Sequence, residues 1–290
     1  PRNLARLPRA QARPPARPLI GLAARDTLAA MSRLLVVGLD APEIADLKDL
    51  RSGPAIYHPL LPAIRLDDGR LLAERTSGPG MLPVDRVVFH GIFADDYDFL
   101  TALALWGGPC LPSARGLLDC RERLPCLARA LPVTRFGAMP RSWATRGQTV
   151  ERSADTVAKW GNWHCGENKH RFTGSYTASE PTILEPFIVG EAVRIALVGE
   201  HAWQIRLTGD GWLKSIHHPD AAFMPIDDEL LADTRDLART LGLAVIGVDY
   251  MLGADGSKHL LEVNHAANVT VFPEIRAAFL ALVAAWADSD

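Results

Sequence analysis

VIGVDYMLGADGSKHLLEVN, residues 245 to 264, reads as two apolar strands joined by a polar turn, Gly253-Ala254-Asp255-Gly256-Ser257. A turn centred between Asp255 and Gly256 sets Asp249 directly opposite Glu262. Cross-strand Cβ atoms lie about 5 Å apart, and Asn264, two residues on, shares the face of Glu262. Two carboxylates and an amide oxygen converging on one face repel each other without a cation between them. Hard oxygen donors suit Mg²⁺, held by one or two carboxylates together with substrate phosphates; Mn²⁺ is the second candidate. The plainer alternative is a hairpin whose polar residues face water. Val248, Leu260, Leu261 and Val263 make the surroundings apolar and favour a buried cluster.

Outward from this hairpin, composition sets the class. The chain has 290 residues, enough for about two domains. Its hydrophobic fraction is 48% and its charged fraction 22%, the balance of a protein with a packed core. A net charge of -3 and a pI near 6.3 argue against a nucleic-acid binder driven by phosphate neutralisation. Cys110, Cys120, Cys126 and Cys165 form no CxxC pair and no zinc spacing, and read as reduced thiols of a cytoplasmic protein. No apolar run reaches the roughly 18 residues of a membrane span. Residues 1–30 differ, with six arginines, five prolines and one acid. Such a segment reads as a targeting peptide or basic arm, or as disordered sequence outside the mature chain, with Met31 as the start; the second reading is preferred.

Residues 31–111 alternate strand and helix, with strands at Leu34–Val37 and Arg86–His90 and a helix at Asp96–Leu105, giving a small α/β unit. Residues 112–182 are polar and irregular, with a helix near Leu117–Ala130 and a strand at Thr156–Trp160. Residues 183–290 hold β segments at Ile183–Ile188, Ala192–Val198 and Ala202–Leu207, a helix at Asp227–Leu241, the metal-type hairpin and an amphipathic helix at Pro273–Ala287.

Neither a P-loop nor a dinucleotide glycine fingerprint is present. Instead Lys159 ends an apolar strand and precedes the polar loop 161–169, a way to clamp phosphates; a solvated lysine is the plainer reading. Pro186 frees the backbone of Glu185-Pro186-Phe187-Ile188 from strand pairing, so that it can meet an adenine edge. Arg194 sits in an apolar strand, where an arginine needs an anion, either a ligand or a structural carboxylate. Lys214 lies in a cationic group with His217 and His218, whose adjacent side chains point to opposite faces and so do not ligate together.

Taken in order, Lys159, Glu185-Pro186-Phe187-Ile188, Gly190-Glu191-Ala192-Val193-Arg194, Gly247-Val248-Asp249 and Glu262-Val263-Asn264 resemble the ATP-grasp superfamily. They look most like its RimK-like (ribosomal-protein-S6 glutamate ligase-like) members. The resemblance runs over residues 32 to 285, and Leu131-Pro132-Val133-Thr134 resembles the family's link into the nucleotide-binding part. It implies an α/β (α+β) ATP-grasp fold: a small pre-ATP-grasp unit (31–111), then a lid-bearing subdomain (112–182) and a metal-binding catalytic subdomain (183–290) clasping the nucleotide. It implies an ATP- and Mg²⁺-dependent carboxylate–amine ligase working through an acyl-phosphate, with an amino-acid or peptide acceptor and the possibility of a homo-oligomer. By position, Asp249, Glu262 and Asn264 hold the metal, and Lys159 contacts the phosphates. Glu185, Phe187 and Ile188 lie at the adenine, Glu191 holds the ribose, and Arg194 and Lys214 stabilise the transferring phosphoryl group. Two departures stand out. Asp119-Cys120 replaces the usual Asp-Lys, with Arg121 and Arg123 as candidate substitutes, and the loop after Lys159 is bulkier than a glycine-serine flap. They keep open an ATP-binding pseudoenzyme and, from another class, a metal-dependent hydrolase using Asp249 and Glu262.

Overall fold

The computed structural model describes residues 33–161 and 168–289. The expectations for the leader 1–30 and for loop residues 162–167 fall outside the described residues.

The first α/β unit runs β1 (Leu34–Val37), α1 (Ala41–Leu50), β2 (Ala55–His58), β3 (Ile64–Asp67), β4 (Arg70–Glu74), β5 (Met81–Val84), β6 (Arg86–Phe89), α2 (Asp96–Trp106) and β7 (Cys110–Leu111). β2, β1, β6 and β7 form a parallel sheet in that order. All four residues of β1 are buried, as expected of a parallel strand covered on both faces. Asp40 starts α1 through a capping box with Glu43, with a proline in the first turn. β3, β4 and β5 are an antiparallel meander that hydrophobic periodicity does not reveal. Its first turn uses Asp68 and Gly69, at φ 50° and 74°, the Asp-Gly pairing that such tight hairpins require.

The expected helix across Leu117–Ala130 is two helices, α3 (Ala114–Arg121) and α4 (Arg123–Ala130). Glu122 between them is extended, at φ -106° and ψ 141°. The cause is Pro125, which fits the first turn of a helix but not its interior. A four-stranded antiparallel sheet follows, built from β8 (Ser142–Ala144), β9 (Thr149–Trp160), β10 (Lys169–Thr177) and β11 (Thr182–Pro186) in the order β10-β9-β11-β8. We call it the lid sheet.

The last sheet is five-stranded: β12 (Gly190–Val198), β13 (His201–Arg206), β14 (Ala222–Met224), β15 (Val245–Gly253) and β16 (Lys258–Asn264), ordered β14-β13-β12-β15-β16. Strand alternation divides its two faces. Val193, Ile195, Leu197, Val248, Tyr250 and Val263 pack with Leu230, Leu237 and Leu241 of α5 (Asp228–Leu241). Ala192, Ala196, Ile205 and Val245 pack with Ile275, Phe279 and Val283 of α6 (Pro273–Ala287). Arg194 and Asp249, an even number of residues from Ala192, Ala196 and Val245 on their strands, project from this same second face.

The β15–β16 turn is centred on Asp255 rather than between Asp255 and Gly256: Leu252 pairs with Lys258, and Ser257 accepts from the Gly253 amide at 2.8 Å. A β-bulge at Leu261 then restores Asp249 opposite Glu262. It places Leu260 on the core face and leaves Leu261 and Glu262 together on the cleft side.

Candidate functional site

Three strands carry one row of charges. Arg194 on β12 pairs in register with Asp249 on β15, which pairs with Glu262 on β16. All are at least nine-tenths buried, and Asn264 is 3% exposed beside them. Gly247 faces Asn264 across the hairpin, and a Cβ on it would stand 3.3 Å from Arg194 Cδ, so the absent side chain makes room for the arginine. Arg194 donates Nε to Asp249 Oδ1 at 2.6 Å and Nη2 to Oδ2 at 2.8 Å, a bidentate pair. Asn264 donates Nδ2 to Asp249 Oδ2 at 3.2 Å. Glu262 Oε2 lies 3.2 Å from Lys169 Nζ and 3.9 Å from Arg123 Nη2. Two carboxylates about 5 Å apart repel by about 3 kcal/mol at an effective dielectric near 20. In the structure Arg194, Lys169 and Arg123 offset that repulsion.

The donors suit a hard divalent cation: two buried carboxylates on neighbouring strands and a carboxamide on the same face. Among the described residues no three of His, Cys, Asp and Glu gather in metal-holding geometry. The carboxamide of Asn264 stands beside the two carboxylates, its Nδ2 turned to Asp249.

The lid sheet supplies a second row. Lys169 pairs in register with Lys159. Lys159 Nζ sits 2.5 Å from Glu185 Oε2, and Arg141 donates Nε to Glu185 Oε1 at 2.7 Å. Arg141 spends its remaining donors on the carbonyls of Gly137, Met139 and Leu260, at 3.1, 3.3 and 2.7 Å. It thereby ties Glu185 to β16. The carboxylate of Glu185, expected at an adenine, is thus engaged by two cations.

Between the rows lies a cleft. Pro186, Phe187, Ile188, Ala192, Leu207 and Met251 give it an apolar part, while Lys159, Lys169, Lys214, Asp249 and Glu262 line it with charge. Phe187 is held by Arg171, whose guanidinium carbon lies 3.6 Å from the ring centroid, and by the edge of Trp212. A second, polar pocket adjoins it and shares Lys169, Lys214, Asp249 and Glu262, adding Arg194, His217, Asn264 and Asn268. Lys214 Nζ is braced by the carbonyls of Gly209 and Gly211, at 3.2 and 2.8 Å. The two histidines separate: His217 lines the polar pocket, and His218 bonds Thr208 and the Asp220 amide.

The structure therefore gathers Lys159, Glu185, Phe187, Ile188, Arg194, Lys214, Asp249, Glu262 and Asn264 around two joined pockets. Glu191 is not among them. It alternates with Ala192 and Arg194 and pairs with Arg206 at 2.6 Å on the other face, both side chains being about half exposed. Two residues that the motifs do not mark as site members also reach it, Lys169 and Arg141. Of the two arginines near Cys120, Arg123 reaches Glu262 and donates to the Trp160 carbonyl at 3.1 Å. Arg121 turns instead to the buried Asp96 and the Phe93 carbonyl.

Behind Asp249 a buried network fixes β15. Asp233 accepts from Tyr250 Oη at 2.8 Å, Thr134 Oγ1 at 2.8 Å and the Arg135 amide at 2.7 Å. Burial, followed by the charge of Asp233, pushes the Tyr250 phenol up, so it stays a donor. A hydrogen bond with Cys120 and then burial hold the Cys126 thiol well above its usual range. Its Sγ donates to the Val263 carbonyl at 3.7 Å, beside Glu262.

No protein-family model matches the chain, and no curated protein matches it in sequence. Solved structures do. The chain is similar to a RiPP-associated ATP-grasp ligase of Chryseobacterium gregarium in complex with ADP and a leader and core peptide, at 11% identity and a TM-score of 0.61, over 90% of this chain and 98% of that one. The macrocyclase MdnC of Microcystis aeruginosa, bound with precursor peptide MdnA, matches at 12% identity and a TM-score of 0.59, over 89% and 100%. D-alanyl-alanine synthetase A of Vibrio cholerae matches at 12% identity and a TM-score of 0.60, over 88% and 97%. Among the described residues no helix is long and apolar enough to cross a membrane. The extent of the structural likeness, together with the sheets and their order, establishes that this chain has the ATP-grasp fold.

Proposed function

We propose that the protein is an ATP-dependent carboxylate–amine ligase that forms an amide bond on a peptide substrate. The observation that carries this reading is the meeting, in one cleft, of three lysines, Lys159, Lys169 and Lys214, with the carboxylate pair Asp249 and Glu262, at the border between an apolar slot and a polar pocket. The slot suits a nucleobase against Phe187 and Ile188. The lysines suit a phosphate chain, and the polar pocket beyond suits a carboxylate held by Arg194 and Lys214. Phosphoryl transfer needs positioning and positive charge more than a dedicated base.

In this scheme a carboxylate oxygen attacks the γ-phosphorus of ATP, the bond to the β-phosphate oxygen breaks, and ADP leaves. An amine then attacks the acyl carbon, the C–N bond forms, phosphate leaves, and the amine gives up a proton to solvent. Arg194 and Lys214 hold charge on the acyl-phosphate, and the apolar slot excludes water. Asp249, Glu262 and Asn264 would hold Mg²⁺, or Mn²⁺ in its place, and a divalent cation there would neutralise phosphate oxygens. A peptide substrate is supported by the peptides carried by two of the similar structures. The RimK-like grouping rests on the sequence motifs alone. A second reading, nucleotide binding without turnover, draws on the buried Cys120 where the family pattern has a lysine; Arg123 beside Glu262 favours the ligase.

Calorimetric titration of ATP with Mg²⁺ into the full chain, beside Lys159→Ala and Glu262→Ala, tests the site. Binding that needs both residues is expected, followed by ADP release when peptides and amines are supplied. Binding without ADP release across a broad peptide and amine panel would favour the second reading, and the absence of binding would overturn both.

A further inference from the structure

We propose that Lys169 is the residue that contacts the terminal phosphate, dividing the phosphate chain with Lys159. The assignment rests on the nucleotide reading above and deepens it. Lys169 opens β10 directly opposite Lys159, so two ammonium groups project from adjacent strands toward one cleft. Like charges in direct cross-strand register destabilise a sheet unless an anion lies between or beside them.

Their partners differ, and the difference separates their roles. Lys159 is bound to Glu185, which Arg141 braces from the other side, next to the apolar slot of Pro186, Phe187 and Ile188. Lys169 is bound to Glu262, at the junction of the two pockets, and its side chain is 16% exposed. Glu262 is also a candidate metal ligand. Were Glu262 to hold a divalent cation, the ammonium of Lys169 would lose this partner and need another anion in a nearly closed space. Lys214, the other lysine that lines both pockets, is already braced by two carbonyls. With the base in the slot, the inner phosphates lie by Lys159 and the terminal one lies at the junction, within reach of Lys169. Lys159 therefore serves any adenine nucleotide, whereas Lys169 serves only one with a third phosphate.

The test is calorimetric binding of AMPPNP and of ADP, each with Mg²⁺, to the full chain and to Lys169→Met, Lys169→Gln and Lys159→Met. Thermal unfolding of each variant is followed alongside. Both neutral Lys169 variants are expected to lose roughly 10- to 100-fold in AMPPNP affinity, the loss of one charge-assisted hydrogen bond, while ADP affinity changes by less than about 3-fold. Lys159→Met is expected to weaken both nucleotides. Lys169→Gln retains a donor for Glu262 and decides the matter if Lys169→Met unfolds. Equal loss of both nucleotides, or no loss of either, in a folded Lys169 variant would overturn the assignment and leave the nucleotide site standing. If the wild-type chain binds neither nucleotide, the nucleotide reading falls and this assignment falls with it.

Discussion

The two hairpins that face each other across the cleft, β15–β16 and β9–β10, solve the same electrostatic problem in opposite ways. The first shares with the neighbouring β12 a row that mixes signs: Arg194, Asp249 and Glu262 lie side by side on three adjacent strands. Compensation there is largely local. The second sets two lysines of one sign opposite each other and finds its counter-charges elsewhere, in Glu185 on the next strand and in Glu262 on the other sheet. An excess of positive charge on the lid sheet thus meets an excess of negative charge on the five-stranded sheet. A carboxylate pair can wait for a metal while a guanidinium occupies it, and a lysine pair can wait for phosphates while carboxylates occupy it.

The sharpest way to break this comparison is at Arg141, the tie between the sheets. Arg141→Ala leaves Glu185 short of a buried partner and frees the Leu260 carbonyl, and should cost about 3–5 kcal/mol, read as a lowered urea midpoint. A midpoint within experimental error of wild type would mean that the sheets hold together without it. Next is Glu262→Gln, isosteric but neutral, which should keep the fold and cut ADP release by about 10²- to 10³-fold. Near-normal turnover would remove Glu262 from the chemistry and make its row purely structural. Tyr250→Phe removes one of the three donors to Asp233 and should cost about 1–2 kcal/mol in thermal or denaturant unfolding. The smallest effect is expected at Glu191→Gln. Its half-exposed pair with Arg206 contributes at most about 1 kcal/mol, and ATP affinity should move by less than about 3-fold. A larger drop in affinity would show that Glu191 swings into the cleft and holds the ribose as the motif implies.

The same contrast explains how much of the site is written locally in the chain. Charged residues placed at alternate positions of an apolar strand are conspicuous, so Arg194, Asp249, Glu262 and Asn264 are legible in the amino-acid sequence alone. Lys159 is legible for the same reason, standing at the end of an apolar run. Lys169 is not, because its importance comes from register, and register across β9 and β10 passes through a loop with no tight-turn signature. Arg141 is hidden for a different reason: its partners, Glu185 and the Leu260 carbonyl, are 44 and 119 residues away. The meander β3–β5 carries a local signal in Asp68-Gly69, and the broken helix carries one in Pro125. Hydrophobic periodicity overrides both, whereas turn and breaker residues, weighed first, reveal them.

The bulge at Leu261 has a consequence for how this pocket can vary. A regular strand continued from Lys258 would set residue 261 opposite Asp249, which is where the bulge sets Glu262. Leu261 is therefore a surplus residue. Its deletion closes the ladder and leaves the carboxylate pair where it was, whereas in a strand without such a bulge the loss of one residue turns every side chain beyond it to the wrong face. The hairpin thus has an insertion point at the wall of the apolar slot. Length and bulk can be added or removed there in a lineage without disturbing Glu262 and Asn264, which follow, so the slot can be reshaped while the carboxylate cluster stays in register.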